Sequence, residues 1–163
     1  MEALATSNAV TLRIALEDLY ARYTGCLDDE RFEEWPDFFT DPCLYKIIPR
    51  INFERNLPLA TWLCESRGYL RDRVQAIRKT SVFGPRYLRR FVSGIRVVGQ
   101  TSDAIEVHAN YAAYETLPDA FTRVFNVGQY RDLIALGNGD MKFREKVCVF
   151  DSELVPNSLI YPL

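Results

Sequence analysis

Ile105-Glu-Val-His-Ala-Asn-Tyr-Ala-Ala113 is the stretch that decides the fold, because its apolar and polar side chains alternate. Alternation with a period of two predicts a β-strand with one buried face. The same pattern predicts three further strands, over Phe91–Val97, Phe121–Val127 and Met141–Val149. Turn-forming residues lie between these strands, at 99–103, 117–119 and 137–140. We therefore predict that four antiparallel strands follow one another along the sheet.

The residues before these strands have a helical spacing instead. Ser7, Asn8 and Thr11 can each cap the start of a first helix, and a polar break at Asp28 ends it. Its predicted buried face carries six apolar residues: Leu12, Leu16, Leu19, Tyr20, Tyr23 and Leu27. Downstream we predict a short helix over 30–39 interrupted at Pro36, a strand over 43–48, a loop over 52–58, and helical structure from 59 to 77 with a break at Gly68.

This order of elements places helices first and long antiparallel strands afterwards, which is typical of α+β folds and not of alternating βαβ folds. Helix, short helix, strand, helix and four consecutive strands is the order of the cone-shaped nuclear-transport-factor-2-like (cystatin-like) fold. We therefore expect N-terminal helices packed on a curved, mainly antiparallel sheet. A chain of 163 residues is expected to form a single domain over 1–163, with residues 1–10 as a flexible N-terminal tail.

The composition excludes several classes of function. The net charge of −2 and the sequence pI of about 5.5 argue against nucleic acid as a partner. No apolar run approaches the ~20 residues of a membrane span, and no leader pattern opens the sequence, so we expect a cytoplasmic protein without membrane contact. The four cysteines contain no C-x-x-C pair, so they predict neither a zinc site nor an iron–sulfur cluster.

Charge is distributed unevenly along the chain. Residues 28–41 are strongly acidic, whereas residues 67–96 are rich in arginine. One interpretation is a solvated surface with ion pairs inside the chain. The other is that the acidic stretch of one subunit meets the arginine-rich stretch of its neighbour, since arginine suits flat, bidentate contacts between subunits.

His108 is the only histidine, which limits the chemistry that the chain can support. A Rieske cluster needs two histidines, and so does a mononuclear iron site of the two-histidine, one-carboxylate type. The alternation places His108 on the polar strand face with Glu106, Asn110 and Tyr114, where a hydrogen-bonded surface histidine is expected. The alternative is a general base inside the cone of a stand-alone dehydratase, isomerase or cyclase. A pure binding module for a small ligand or nucleic acid is a third hypothesis.

Several segments resemble, in order, the small (beta) subunits of bacterial aromatic-ring-hydroxylating dioxygenases. They are Tyr23-Thr-Gly-Cys-Leu-Asp-Asp, Trp35-Pro-Asp-Phe-Phe-Thr-Asp, Tyr45-Lys-Ile, Leu70-Arg-Asp-Arg-Val-Gln-Ala-Ile, Pro85-Arg-Tyr-Leu-Arg-Arg, Gly128-Gln-Tyr-Arg-Asp, Phe143-Arg-Glu-Lys-Val-Cys-Val-Phe-Asp and Ser158-Leu-Ile-Tyr-Pro-Leu. The resemblance extends from about residue 15 to residue 163. Members of the family often carry a histidine where this chain has Arg90, and an acidic residue in the loop 50–52.

The resemblance implies a structural, non-catalytic subunit in bacterial catabolism of aromatic compounds. It implies a homotrimer that associates with three large (alpha) subunits. The large subunit would hold the Rieske iron–sulfur cluster and the mononuclear iron, so no cofactor or metal is expected in this chain. An aromatic carboxylate is the favoured substrate class. With the charge pattern, the resemblance suggests six interface residues: Asp72, Arg73, Arg86, Arg89, Arg90 and Tyr161.

Overall fold

Four long strands follow one another along the chain, and each pairs antiparallel with the next. A computed structural model describes residues 2–137, 140–152, 154 and 159–163, with side chains from residue 9 onward. The strands are β3 (Tyr87–Gln100), β4 (Ala104–Thr116), β5 (Arg123–Ala135) and β6 (Lys142–Phe150). The predicted antiparallel strands are thus confirmed; β3, β4 and β5 are longer than their apolar alternation indicated, whereas β6 has the predicted length. The turn predicted at 137–140 lies partly outside the described residues, at 138 and 139.

Two further strands complete a six-stranded sheet. Strand β1 (Phe39–Pro49) runs parallel to β6, and the short β2 (Trp62–Cys64) pairs antiparallel with β1. The strand order is β2-β1-β6-β5-β4-β3, so β3 and β2 are the two edges. The prediction of an α+β fold with a mainly antiparallel sheet is therefore confirmed.

Helix α1 (Glu2–Asp28) covers one face of this sheet. Its predicted apolar face is confirmed, because Leu16, Leu19, Tyr20, Tyr23 and Leu27 are all buried. The helix begins at Glu2 and not near Thr11, so the backbone of residues 2–10 is helical. That residues 1–10 behave as a flexible tail remains a prediction.

The segment between the first helix and the long strands differs most from the prediction. The helix predicted over 30–39 is reduced to a 3₁₀ turn at Trp35–Phe38, because Pro36 cannot donate the hydrogen bond that an α-helix would need. Part of the predicted loop 52–58 belongs to α2 (Arg50–Glu54). The helical structure predicted over 59–77 is confirmed only from residue 67, since 62–64 form β2 and α3 (Arg67–Gln75) starts after Ser66, which caps it. The predicted break at Gly68 is wrong, because Gly68 lies within α3. A π-helical turn (Ala76–Thr80) follows α3.

The sheet therefore has an inner face toward α1 and an outer face away from it. On β4 the inner residues Ile105, Val107, Ala109, Tyr111 and Ala113 are buried. Gly128 allows β5 and β6 to approach closely, because a Cβ atom at this position would lie 2.0 Å from the Val149 carbonyl oxygen. The inner face carries the main core. Among the described residues, a small cluster around Ile48 lies on the outer face near β1 and β6.

Candidate subunit interface

The outer face of the sheet exposes large apolar side chains at one end of strands β3, β4 and β5. Phe91 and Tyr114 are 63% and 36% exposed, and their rings meet edge to face with centroids 5.6 Å apart. Val124 lies opposite Tyr114 on β5, and Val127 lies opposite Ala112. Exposed apolar groups on neighbouring strands are typical of surfaces that a partner covers. We call the set Phe91, Tyr114, Val124 and Val127 the outer apolar patch.

A groove of about 470 Å³ opens on the outer apolar patch. Its lining consists of Phe91 and Tyr114 from the patch, together with Arg89, Ala112, Thr116 and Thr122. Beside it the buried carboxylate of Glu115 accepts hydrogen bonds from Arg86 at 3.2 Å and from Arg123 at 2.6 Å. Two guanidinium groups on one carboxylate leave this end of the sheet with net positive charge. The combination of apolar rings and surplus arginine suits a partner that offers apolar and acidic side chains.

His108 lies on this outer face, in a polar row next to the outer apolar patch. Strand pairing places it between Arg96 on β3 and Arg131 on β5. The Arg131 guanidinium donates to the His108 ring at 2.7 Å, and Glu106 Oε1 lies 3.2 Å from Nε2. The expectation of a hydrogen-bonded surface histidine is therefore confirmed. The alternative of a general base inside the cone is wrong, because the side chain points away from the inner face.

The space between α1 and the inner face is filled by a buried ion pair. Lys146 Nζ lies 3.0 Å from Asp132 Oδ2, and both side chains are fully enclosed. Tyr20 Oη donates to the same oxygen at 2.6 Å. The ammonium group also lies 3.3 Å from the Tyr130 ring centre, with the rings of Tyr20, Tyr23 and Phe143 within 5.0 Å. Burial raises the pKa of Asp132 while the neighbouring Lys146 opposes that rise, and burial raises the pKa of Tyr20.

The acidic and arginine-rich stretches meet within one chain. Arg90 Nη1 lies 2.5 Å from Asp28 Oδ1, and Arg78 Nε lies 2.8 Å from Glu33 Oε1. Arg67 forms a third such pair with Asp37. Arg78 lowers the pKa of Glu33 to about 2 by donating hydrogen bonds to its carboxylate. The interpretation as intrachain ion pairs is confirmed for these residues. Contact between the two stretches across a subunit boundary remains a prediction.

Three of the six predicted interface residues are engaged within their own subunit. The Arg90 side chain is fully buried, so it cannot reach a neighbouring subunit without leaving Asp28. Tyr161 is buried, with its ring against Phe32 at 4.8 Å. Arg86 is mostly enclosed beside Glu115.

The other three predicted interface residues are exposed. Asp72 and Arg89 are free to contact a partner, and Arg73 is exposed while its guanidinium lies 4.9 Å from the Trp62 ring. For these three, contact with another subunit remains a prediction. Sequence reasoning missed Arg123 and the outer apolar patch. The available signal was the presence of apolar residues at strand positions that the alternation places outside the core.

No group of three or more histidine, cysteine or acidic side chains in the described part of the chain could hold a metal ion. No helix among the described ranges is long and apolar enough to cross a membrane.

Comparison with known proteins places the chain in a family. A model described as "Ring hydroxylating beta subunit" matches residues 22–157. The chain belongs to the ring-hydroxylating beta-subunit family. It is 30% identical over 145 residues to the anthranilate 1,2-dioxygenase small subunit of Burkholderia cepacia, covering 89% of this chain and 90% of the relative. It is therefore a small, beta-type subunit of an aromatic-ring-hydroxylating dioxygenase.

Solved structures confirm the fold predicted for this beta subunit. A beta subunit assigned to an aromatic-ring-hydroxylating dioxygenase of Novosphingobium aromaticivorans matches with a TM-score of 0.87 and 35% identity, covering 95% of this chain and 99% of the other. A protein of the same organism assigned as a scytalone dehydratase matches with a TM-score of 0.70 and 18% identity, covering 91% of this chain and 89% of the other. The second likeness shows the fold alone. Together they confirm the nuclear-transport-factor-2-like cone.

Proposed function

We propose that this beta subunit is a structural, non-catalytic component that holds the large subunits of a Rieske-type dioxygenase in a ring. The observation that carries the proposal is the contrast between the two faces of the sheet. The inner face is filled by the subunit's own side chains, whereas the outer face exposes apolar rings beside surplus arginine. A protein whose interior is filled and whose exposed sheet face is apolar is suited to assembly.

The proposed assembly is a homotrimer joined to three large subunits. A threefold ring requires each subunit to offer two different surfaces to its neighbours. The outer apolar patch with Arg89 supplies one candidate surface, and the exposed Asp72 and Arg73 on α3 lie on a second.

The large subunit would carry both iron centres. One histidine cannot supply the four that a Rieske cluster and a mononuclear iron site need together, which supports placing these groups in the partner. We place the complex in the bacterial cytoplasm, in the breakdown of aromatic compounds. The name of the Burkholderia cepacia relative supports an aromatic carboxylate as substrate.

The experiment is co-expression with the large subunit from the same bacterium, followed by affinity purification through a tag on the large subunit. Light scattering of the purified complex would give a mass of three plus three subunits. Phe91→Asp and Val124→Asp should reduce this mass or release the small subunit, because each buries a charge against the partner. Val10→Asp is the matched control, since Val10 is 53% exposed on α1.

Two outcomes would contradict the proposal. The first is a complex of unchanged mass and salt resistance in both patch variants. The second is a lone small subunit that turns over a substrate without the large subunit. Arg89→Glu tests the charged rim of the groove. Its complex should dissociate most at low salt, where the new carboxylate repels an acidic partner most strongly, and the difference from wild type should shrink as salt increases.

A further inference from the structure

Positively charged side chains form a row across the outer face of the sheet, beyond the outer apolar patch. Strand pairing places His108 between Arg96 on β3 and Arg131 on β5. The same row continues through Val147 on β6 to Lys46 on β1. Side chains paired across neighbouring strands lie on the same side of a sheet, so these residues share one face. We call Arg96, His108, Arg131 and Lys46 the basic row.

The adjoining row on the same face is acidic. Glu106 lies two positions before His108 on β4, so its side chain points to the same side, and it is 56% exposed. Leu133 on β5 lies opposite Glu106, and the exposed Glu145 on β6 lies opposite Leu133. We call Glu106 and Glu145 the acidic row. Each subunit thus presents two neighbouring rows of opposite charge.

Within the subunit, the arginines of the basic row do not pair with the acidic row. Arg131 donates to the His108 ring at 2.7 Å and to Gln129 at 2.9 Å, and not to a carboxylate. In the described part of the chain, the one ion-pair contact of either row joins Glu106 to His108 at 3.2 Å. The arginines of residues 67, 78 and 90, by contrast, each have an acidic partner in their own chain. The two rows therefore keep charges that a partner can pair.

We propose that the outer face of each subunit packs against the outer face of a second copy of this chain, with the acidic row of one subunit over the basic row of its neighbour. A second copy brings both rows, so the face is complementary to itself in charge. In a closed ring, one side of each face meets the opposite side of the next face, which brings rows of unlike sign together. The contact would also cover the outer apolar patch.

The register of this contact follows from the rows. A symmetry axis along the rows keeps each strand level with the same strand of the neighbour. The neighbour's Glu106 then lies over His108, between Arg96 and Arg131, and its Glu145 lies over Val147, between Arg131 and Lys46. Arg131 is therefore the cation that both carboxylates of the neighbour approach. The inference rests on the proposed homotrimer and names the charged groups that join its subunits.

The first test reverses charges in the complex with the large subunit, whose mass is followed by light scattering through a dilution series. Arg131→Glu and Glu145→Lys should each raise the concentration at which half of the complex dissociates by at least about tenfold at low salt, because like charges then meet. In the double variant every copy carries both changes, and unlike charges meet again. It should therefore assemble at least about tenfold more tightly than the two single effects together predict.

Glu17→Lys is the matched control, since it makes the same change of charge on α1, which covers the other face of the sheet. Its complex should dissociate as the wild type does. Unchanged dissociation in both single variants, or additive effects in the double variant, would overturn the proposal. If Phe91→Asp and Val124→Asp dissociate the complex while the charge reversals do not, the rows are wrong and the assembly function stands. If none of these changes has an effect, both proposals are wrong.

The second test uses His108, whose side chain takes up a proton as the pH falls from about 8 to about 6. The charged groups that face it are Arg96 on β3, Arg131 on β5 and Glu106 on its own strand. The two arginines oppose its charge in a lone subunit, whereas the neighbour's Glu106 would favour it. The wild-type complex should therefore gain at least about threefold in resistance to dilution at the lower pH, relative to His108→Gln. No gain, or a loss, would contradict a carboxylate over the basic row.

Discussion

Replacing Lys146 by methionine should be among the most destabilising single changes in this subunit. The substitution leaves the Asp132 carboxylate buried with Tyr20 as its side-chain donor at 2.6 Å. Removing one member of a buried ion pair costs about 3–5 kcal/mol, because the remaining charge is uncompensated. Loss of the ammonium contact with the Tyr130 ring, at 3.3 Å, adds to this cost. Such a loss is a large share of the roughly 5–15 kcal/mol by which a domain is stable.

The loss of stability caused by Lys146→Met should depend on pH and on the charge of Asp132. Burial raises the pKa of Asp132, and without Lys146 that pKa rises further. A group whose folded pKa is raised destabilises the fold at pH values above that pKa. The deficit of Lys146→Met is therefore largest at neutral pH and shrinks as the pH falls toward about 4, where an unfolded aspartate also takes up a proton. Adding Asp132→Asn should recover much of the loss, because the amide oxygen still accepts from Tyr20 and carries no charge.

Urea unfolding followed by the fluorescence of Trp35 and Trp62 measures these differences, at one fixed protein concentration. The single variants and the double variant together form a double-mutant cycle. A loss below about 1 kcal/mol for Lys146→Met at pH 7 would refute the reasoning, since the buried carboxylate would not then need its partner. Additive losses in the double variant would refute it equally.

Three further changes have distinct expected results. Glu33→Gln should lower the free energy of unfolding by well under about 1 kcal/mol at pH 7, because the pair with Arg78 is exposed. This difference should disappear as the pH falls through about 2, the lowered pKa of Glu33. Urea unfolding at several pH values measures it. Gly128→Ala should lower the free energy of unfolding by about 2 kcal/mol or more, because the new Cβ atom would push β5 away from β6. Gly137→Ala is the control in the same assay and should leave this free energy unchanged, since its Cβ atom would meet no neighbour within 4 Å. His108→Ala should leave turnover of the purified dioxygenase within about twofold of wild type, whereas loss of a general base would lower it about a hundredfold or more.

The long strands were predictable because each has its own alternation of apolar and polar residues. Alternation along β4 puts five apolar residues on one face, and burial of that face requires no knowledge of the rest of the chain. The short β2 carries no such signal. Its three residues form a strand because Trp62 and Cys64 pair with Ile47 and Tyr45 of β1, and that pairing brings together segments that a local pattern cannot connect.

The ion pairs could not be assigned from the sequence for a related reason. Arg90 and Asp28 lie 62 positions apart, so only the packing of α1 against β3 shows that they meet within one subunit. A block of arginine predicts that acidic partners exist, but not which chain supplies them. The outer apolar patch is predictable in part, because the alternation along β4 places Tyr114 on the polar strand face. Its exposure becomes informative only once the inner face is known to be complete.

A cone fold offers two places for function, the interior of the cone and the outer face of its sheet. In this subunit, buried side chains fill the interior, whereas the outer face remains exposed. The side chains of Lys146, Asp132 and Leu163 have no exposed surface and fill part of the interior. On the outer face, Phe91 is 63% exposed and Val124 is 58% exposed. Burying apolar surface is favourable by roughly 25 cal/mol per Å², so this exposed surface does not contribute that stabilisation in the lone subunit. Covering these side chains in a complex would recover that free energy without any change inside the cone. Assembly through the outer face is therefore the function that we propose for this arrangement.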